Sequence, residues 1–268
     1  MALSKFIDVD FSTPPEGYSN GVLLSSFDEL MAAAQPLRTL VKTLTWEEIE
    51  AACALNHVER NNRGLVVHVF NQSVESACVG NGFVGGCTLR GRLQFGESYP
   101  ICSPMSVYKE IAPNANSGAY LPDAVRQITT IGYLPLPGSG YEHEHPATGY
   151  RNPLPKGWET TAGEFFMATS ILTCQGAQEI ATATASGFPV VIGRQGHCVY
   201  SLFPVKDGSK WHIAYVNSWG SWGDVINDKC GRGLGYDSER TLRDVVGYAI
   251  CGVKVHKRNF FPAAPAAL

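Results

Sequence analysis

Helical patterns occupy most of the first two thirds of the sequence. Ser26-x-x-Glu29 and Thr45-x-x-Glu48 have the spacing of a capping box, in which two side chains satisfy free N–H groups at a helix start. After the second box, apolar residues from Trp46 to Cys53 recur at helical spacing and predict one buried face. Further helices are predicted from Ser103-Pro104, over 121–131, and over 161–186 with a break near 175–176.

Strand patterns are concentrated in the last third. Runs rich in β-branched and aromatic residues predict strands over 65–70, 190–192, 197–203, 211–216 and 248–255. Asp207-Gly208, between two of these runs, is a hairpin turn signal. Five prolines and four glycines in residues 133–158 predict a long surface loop. Because the strands largely follow the helices instead of alternating with them, we expect an α+β fold.

The chain divides into three predicted regions. Residues 1–60 form an N-terminal extension with two short helices, and residues 1–25 of it are an irregular arm rich in proline, glycine and serine. Residues 61–260 form the main domain. Residues 261–268 are a low-complexity tail of alanine and proline.

Composition and charge exclude several classes of protein. With 44% hydrophobic and 17% charged residues, the 268-residue chain can build a sizeable core. The net charge of −3 provides no basic surface for nucleic acid or an anionic membrane, so neither is an expected partner. Asp8 and Asp10 lie where a signal peptide would be apolar. A cytoplasmic location is therefore expected.

The metal-binding residue types do not form a recognisable site. None of the eight cysteines forms a Cys-x-x-Cys pair, and without a signal peptide we expect free thiols and no disulfide. Glu142-His143-Glu144-His145 lies in the predicted surface loop and has no identifiable third ligand. No metal and no cofactor are expected.

Four residues have the chemistry of a thiol hydrolase site. Cys78 is a candidate nucleophile, and such a thiol needs a base, here His197, to hold it as a thiolate. Asn217 can fix the ring and the tautomer of that base. The side-chain amide of Gln72 can donate to a developing oxyanion. Each of these residues has an ordinary structural role when it occurs alone, and the combination points to catalysis.

This order of residues resembles the papain-like cysteine proteases, the C1 peptidase family. Gln72 precedes Cys78 by six positions, as in the family, and His197 and Asn217 follow Cys78 by 119 and 139 positions. The run Asn217-Ser-Trp-Gly is the most specific element of the match. The resemblance covers about residues 65–256. It implies a helical subdomain and a strand-rich subdomain with the active-site cleft between them.

The resemblance also implies residue roles. Cys78 attacks a peptide carbonyl and forms an acyl-enzyme, His197 carries the proton, Asn217 orients His197, and Gln72 stabilises the oxyanion. Trp219 shields the bond between His197 and Asn217 from water. The substrate-binding residues implied by the family are Ser117, Gly118, Trp219 and Trp222. The implied function is a cysteine peptidase that acts on a peptide or protein substrate.

Two other hypotheses stay open, and departures from the family pattern bear on the first of them. Val79 replaces an aromatic residue, and Glu75 replaces a cysteine and brings a carboxylate near the thiol. Four glycines within 80–86 weaken the long helix that the resemblance implies after Cys78. The chain would then be a weak or inactive papain-like fold in a large assembly such as a virion, contacted through the N-terminal extension and C-terminal tail. Another Cys–His amidase, such as a cell-wall peptide hydrolase, is disfavoured by the Asn-Ser-Trp-Gly run.

The N-terminal extension has its own prediction. In secreted relatives of this family, an N-terminal segment of helices blocks the cleft and is later removed. Here residues 56–64 are short for a removable linker, and Phe27, Trp46 and Ile49 give the preceding helices apolar faces that need burial. We therefore expect residues 26–60 to pack on the body of the domain, away from the cleft.

Overall fold

The computed structural model describes residues 6, 8–136, 150, 154 and 156–254. The Glu142–His145 cluster and the predicted tail at 261–268 lie outside these residues, as does much of the predicted 133–158 loop. In the described part of the chain, all eight cysteines are present, and all are free thiols.

Helices surround a single large sheet. Those of the described residues are α1 (Phe27–Ala32), α2 (Trp46–Leu55), α3 (Val58–Leu65), α4 (Cys78–Phe95), α5 (Met105–Ile111), α6 (Leu121–Thr130), α7 (Trp158–Phe165) and α8 (Gly176–Ala185). Both predicted capping boxes form, each with its two reciprocal hydrogen bonds, at Ser26 and at Thr45. None of these helices is long and apolar enough to cross a membrane.

The sheet has eight strands in the described residues. They are β1 (Gln35–Pro36), β2 (Met167–Gln175), β3 (Val190–Arg194), β4 (His197–Asp207), β5 (Lys210–Val216), β6 (Asp224–Asn227), β7 (Gly231–Ser238) and β8 (Val246–Lys254). Their order is β1-β2-β8-β3-β4-β5-β7-β6, and only the short β1 pairs in parallel. The predicted hairpin turn at Asp207-Gly208 joins β4 to β5. The expected α+β class is confirmed.

Two helices cover opposite faces of the sheet. Alternate residues of a strand point to opposite sides, so Val191 of β3 packs in the apolar cluster that contains α4, while Val190 packs in the cluster that contains α8. The glycines of α4 let it approach the sheet closely, since a Cβ on Gly82 would lie 2.6 Å from Cys198 Sγ. The helix therefore runs for 18 residues despite its glycines because packing holds it.

Two sequence predictions are wrong. The strand expected over 65–70 does not form, because α3 continues to Leu65 and the next residues have no regular structure up to an isolated bridge between Asn71 and Trp219. The helix expected from 161 to 175 gives way to strand β2, which pairs with β8 along its length. A short apolar run fits a buried strand or a buried helix equally well, and here a distant partner strand decides.

The helices of the N-terminal extension pack on the body of the domain. Trp46 of α2 stacks on Trp211 of β5 with ring centroids 5.0 Å apart. The Leu44 N–H donates to Thr182 Oγ1 in α8 at 3.1 Å, which ties the start of α2 to the core. Helix α3 spans the boundary predicted at residue 60, so the chain passes into the main domain within a helix.

Candidate active site

Cys78 is the first residue of α4, where the positive end of the helix dipole favours a negative charge. Its Sγ lies 4.0 Å from the carbonyl oxygen of Gly196, the residue before His197. The Cys78 and His197 side chains are both fully buried. The start of α4 and the start of β4 therefore meet at the predicted nucleophile and base.

His197 is held by a tight turn and by an asparagine. Gln195 and Gly196 both adopt positive φ angles of 48° and 78°, which closes the β3–β4 connection in two residues and leaves His197 as the first residue of β4. The Nε2 atom of His197 lies 2.7 Å from Asn217 Oδ1. The indole of Trp219 covers this pair, with its centroid 4.4 Å from the imidazole centroid.

The hydrogen bonds of Asn217 fix the tautomer of His197. Asn217 Oδ1 also accepts from the Ser218 N–H at 2.7 Å, so it acts as an acceptor and His197 Nε2 carries the proton. His197 Nδ1 is then the free base atom, and it has no hydrogen-bond partner among the described residues. A buried acceptor left in this way is available to take the proton of a thiol.

Gln72 lies beside the same group of residues. Its Oε1 accepts from Ser218 Oγ at 2.5 Å, which orients the amide and connects it to the residue after Asn217. Its Nε2 donates to the carbonyl oxygens of Ser19 at 2.7 Å and Glu75 at 3.0 Å. The amide thus already holds a peptide carbonyl, that of Ser19.

The four predicted substrate-binding residues fall in three places. Gly118 touches Gly21, since a Cβ on Gly118 would lie 2.6 Å from the Gly21 carbonyl oxygen. Ser117 turns away and donates to the Asn114 carbonyl at 2.9 Å. Trp219 covers His197, and Trp222 packs edge-on against Trp219 with centroids 5.6 Å apart.

The sequence did not predict that an N-terminal segment crosses the candidate active site. Residues 8–23, which we call the crossing segment, run past His197, Gln72 and Gly118. The only sequence signal was the irregular arm itself, rich in proline and glycine. The helices that follow it, from residue 26 onwards, pack elsewhere on the domain.

Burial controls the protonation of both candidate catalytic groups. It raises the pKa of the Cys78 thiol to about 12, against a smaller opposing effect of nearby backbone N–H groups that include Gly21. It lowers the pKa of His197 to about 4, helped by the positive charge of Arg194 and opposed by the bond to Asn217. In this conformation the pair is a neutral thiol and a neutral imidazole.

This titration predicts acid sensitivity. The pKa of His197 is about 4 in the folded chain and 6.5 ordinarily, so below pH 6.5 the unfolded chain binds a proton that the folded chain does not. The free energy of unfolding should therefore fall between pH 6.5 and 4, by up to about 3 kcal/mol. Urea titrations across this range should show that the free energy of unfolding depends less on pH in His197→Gln than in the wild type. An equal pH dependence in the wild type and His197→Gln would contradict the lowered pKa of His197 in the folded chain.

Known structures identify the architecture. No family model matches the sequence, and no curated protein matches it. The chain is similar to digestive procathepsin L2 proteinase from Tenebrio molitor larval midgut, with a TM-score of 0.60 and 13% identity over 91% of this chain and 82% of that one. This is the papain-like fold.

Two further structures share the papain-like fold. The proCathepsin B S9 of Trypanosoma congolense gives a TM-score of 0.53 at 13% identity, over 86% of this chain and 85% of that one. Xylellain, a cysteine protease from Xylella fastidiosa, gives a TM-score of 0.51 at 16% identity, over 71% of this chain and 83% of that one. The fold predicted by resemblance from short motifs is thereby confirmed.

Proposed function

We propose that the chain is a cysteine peptidase that hydrolyses peptide bonds in a peptide or protein substrate. The observation that carries the proposal is the 2.7 Å contact of His197 Nε2 with Asn217 Oδ1, which Trp219 covers. That arrangement leaves Nδ1 of the imidazole as an unoccupied base in a dry setting, and the carbonyl oxygen of the preceding residue, Gly196, lies 4.0 Å from Cys78 Sγ.

The first half of the reaction is acylation. His197 Nδ1 takes the proton of Cys78, and the thiolate sulfur attacks the carbonyl carbon of the scissile bond. The carbonyl oxygen becomes an oxyanion, which accepts from Gln72 Nε2 and the Cys78 backbone N–H. The C–N bond then breaks, His197 returns its proton to the leaving amine, and the acyl group remains on sulfur as a thioester.

The second half is hydrolysis of that thioester. A water molecule gives a proton to His197 and attacks the thioester carbon, and the C–S bond breaks. The product leaves with a new carboxyl group, and Cys78 regains its proton. Asn217 contributes throughout by holding the Nε2–H of His197, so that the ring neither flips nor changes tautomer.

The test of this function is a change at Asn217. The crossing segment covers the site, and a Cβ on Gly21 would lie 1.8 Å from the Ser76 carbonyl oxygen, so Gly21→Ala should displace the segment. Activity is therefore measured with fluorogenic peptides in a chain that carries Gly21→Ala. Adding Asn217→Ala should lower kcat by about 10- to 100-fold with a much smaller change in KM, because the imidazole loses its orientation.

A matched change distinguishes this from a loss of stability. Asn62 is another buried asparagine, and its Nδ2 donates to the Leu202 carbonyl at 2.6 Å, in α3 and away from the site. Asn62→Ala should lower the melting temperature at least as much as Asn217→Ala while leaving kcat unchanged. If Asn217→Ala retains full kcat, Asn217 has no part in the mechanism. The alternative of a virion component gains no support from the described residues.

A further inference from the structure

A small cavity lies between α4 and the sheet beside the candidate active site. The lining residues that matter here are Asn81 and Gly82 of α4, Cys198 of β4, and the pair Asn217 and Ser218 after β5. The cavity has about 10 Å³ of space that a water-sized sphere can occupy. That is about the space that a single water molecule needs, so the cavity fits one water and no larger ligand.

The side chain of Asn217 presents an unused donor at this cavity. Its Oδ1 is turned to His197 Nε2 and to the Ser218 N–H. Its Nδ2 is buried and donates to no atom of the described residues. Because a buried donor without an acceptor is costly, we expect an oxygen atom within reach of Nδ2.

Asn81 presents the complementary acceptor. It lies in α4, three residues after Cys78, and is only 1% exposed. Its Nδ2 donates to the Ala77 carbonyl at 2.9 Å, whereas its Oδ1 accepts from nothing in the described part of the chain. One cavity is therefore lined by an amide with a spare donor and an amide with a spare acceptor. A water molecule can satisfy both, since it accepts from one group and donates to another.

We propose that this cavity binds one water molecule, which accepts from Asn217 Nδ2 and donates to Asn81 Oδ1, and that Asn81 is thereby a positioning residue for Asn217. The water site stands independently of the proposed function, whereas the effect of Asn81 on turnover rests on it. The bridge ties the helix that begins with Cys78 to the asparagine that contacts His197.

The bridging water would fix which end of the Asn217 amide faces His197. A half turn of this amide would bring Nδ2 to His197 Nε2, which would then have to accept a hydrogen bond and give up its proton. The proton of the neutral imidazole would move to Nδ1, so Nδ1 would no longer be a base for the Cys78 thiol. The Ser218 N–H opposes this half turn by holding Oδ1, and the water opposes it by holding Nδ2.

The water site is tested by a crystal structure of the wild-type chain. We expect electron density for a water at about 2.7–3.2 Å from both Asn217 Nδ2 and Asn81 Oδ1. The same density should be missing in Asn81→Leu, which keeps nearly the shape of asparagine but has no acceptor. The Ala77 carbonyl stays bonded in that variant, because it also accepts from the backbone N–H of residue 81 at 3.1 Å. A wild-type cavity without this water, in a map that shows other buried waters, would overturn the inference.

The positioning role is tested on the tautomer of His197. Magnetic resonance of isotope-labelled histidine shows which ring nitrogen carries the proton, and the His197 signals are those lost in His197→Gln. The wild type should hold the proton on Nε2 alone, and Asn81→Leu should add a population with the proton on Nδ1. If Asn81→Leu fails to fold, Asn81→Val, which is smaller and also lacks an acceptor, serves in its place.

A matched variant separates positioning from a general loss of stability. Asn62 is a buried asparagine of α3 whose Nδ2 donates to the Leu202 carbonyl at 2.6 Å. Asn62→Leu should lower the melting temperature without changing the tautomer of His197. If the tautomer is the same in Asn81→Leu as in the wild type, Asn81 does not position Asn217.

Turnover distinguishes this inference from the proposed function. In the chain that carries Gly21→Ala, Asn81→Leu should lower kcat by about 3- to 10-fold with little change in KM, the effect of one lost hydrogen bond. A bridging water and a changed tautomer without peptide hydrolysis in any chain would support the inference and reject the peptidase. Hydrolysis with full kcat in Asn81→Leu would support the peptidase and reject the positioning role.

Discussion

Cys78→Ala should abolish peptide hydrolysis in the chain that already carries Gly21→Ala. In the proposed reaction the acyl group is carried by this sulfur, so its removal ends the covalent route. We expect kcat/KM to fall by at least about 10⁴-fold. The decrease should appear in kcat, because the sulfur takes part in the proposed bond-forming step.

A second buried cysteine provides the control. Cys174 is fully buried in β2, within the cluster on the α8 face of the sheet, and it is a free thiol. Cys174→Ala should leave kcat unchanged and lower only the melting temperature, since it removes a small buried apolar group. Retention of most of the activity in Cys78→Ala, or its loss in Cys174→Ala, would contradict the assignment of the nucleophile.

Asp237→Ala should cause the largest loss of stability among single charge removals near the site. Asp237 in β7 is fully buried and makes a two-point contact with Arg194 at the end of β3, with Arg194 Nε 2.9 Å from Oδ2. The substitution would leave the buried guanidinium without its counter-charge, which typically costs about 3–5 kcal/mol. For a chain of this size, we expect the melting temperature to fall by about 10 °C.

An exposed ion pair is the matched control. Arg243 and Asp244 lie 2.8 Å apart with both side chains more than three quarters exposed, where water and salt screen the attraction. Asp244→Ala should therefore leave the melting temperature unchanged. If Asp237→Ala melts within about 2 °C of the wild type, the Arg194–Asp237 pair does not contribute as its burial suggests.

Local chemistry made part of the molecule predictable from sequence. A capping box is specified by residues three apart, so the starts of α1 and α2 could be placed without knowledge of the tertiary structure. The contact of His197 with Asn217 joins residues 20 positions apart, and it was expected only because the run Asn217-Ser-Trp-Gly resembles a known family. Only the structure showed that Nε2 is the ring nitrogen that makes this contact.

Long-range pairing decided the elements that the sequence mispredicted. Strand β2 contains residues of good helix propensity, yet it pairs with β8 more than 70 positions later, and that pairing satisfies its buried backbone. Residues 66–70 have strong strand character but find no ladder partner, so they form no strand after α3. Neither outcome can be computed from a short window, because the partner lies outside it.

The crossing segment was unpredictable for a different reason. Its contacts with Gly196, Ala119 and Ser76 are made mainly by backbone atoms, and backbone groups are the same in every residue. Gly21 was visible as one glycine among 28, but the need for it appears only when the Ser76 carbonyl is placed beside it. A hydrophobic pattern carries no information about such a fit.

The most direct test of a thiol peptidase at this site is to trap the acyl-enzyme. The Gly21→Ala chain is mixed with a p-nitrophenyl ester of a blocked amino acid, quenched in acid within the first turnover, and analysed by intact and peptide mass spectrometry. We expect a burst of about one equivalent of nitrophenol and one acyl group, located on Cys78 and absent when His197→Gln is added. An acyl group on another residue, or hydrolysis without any adduct at Cys78, would contradict it.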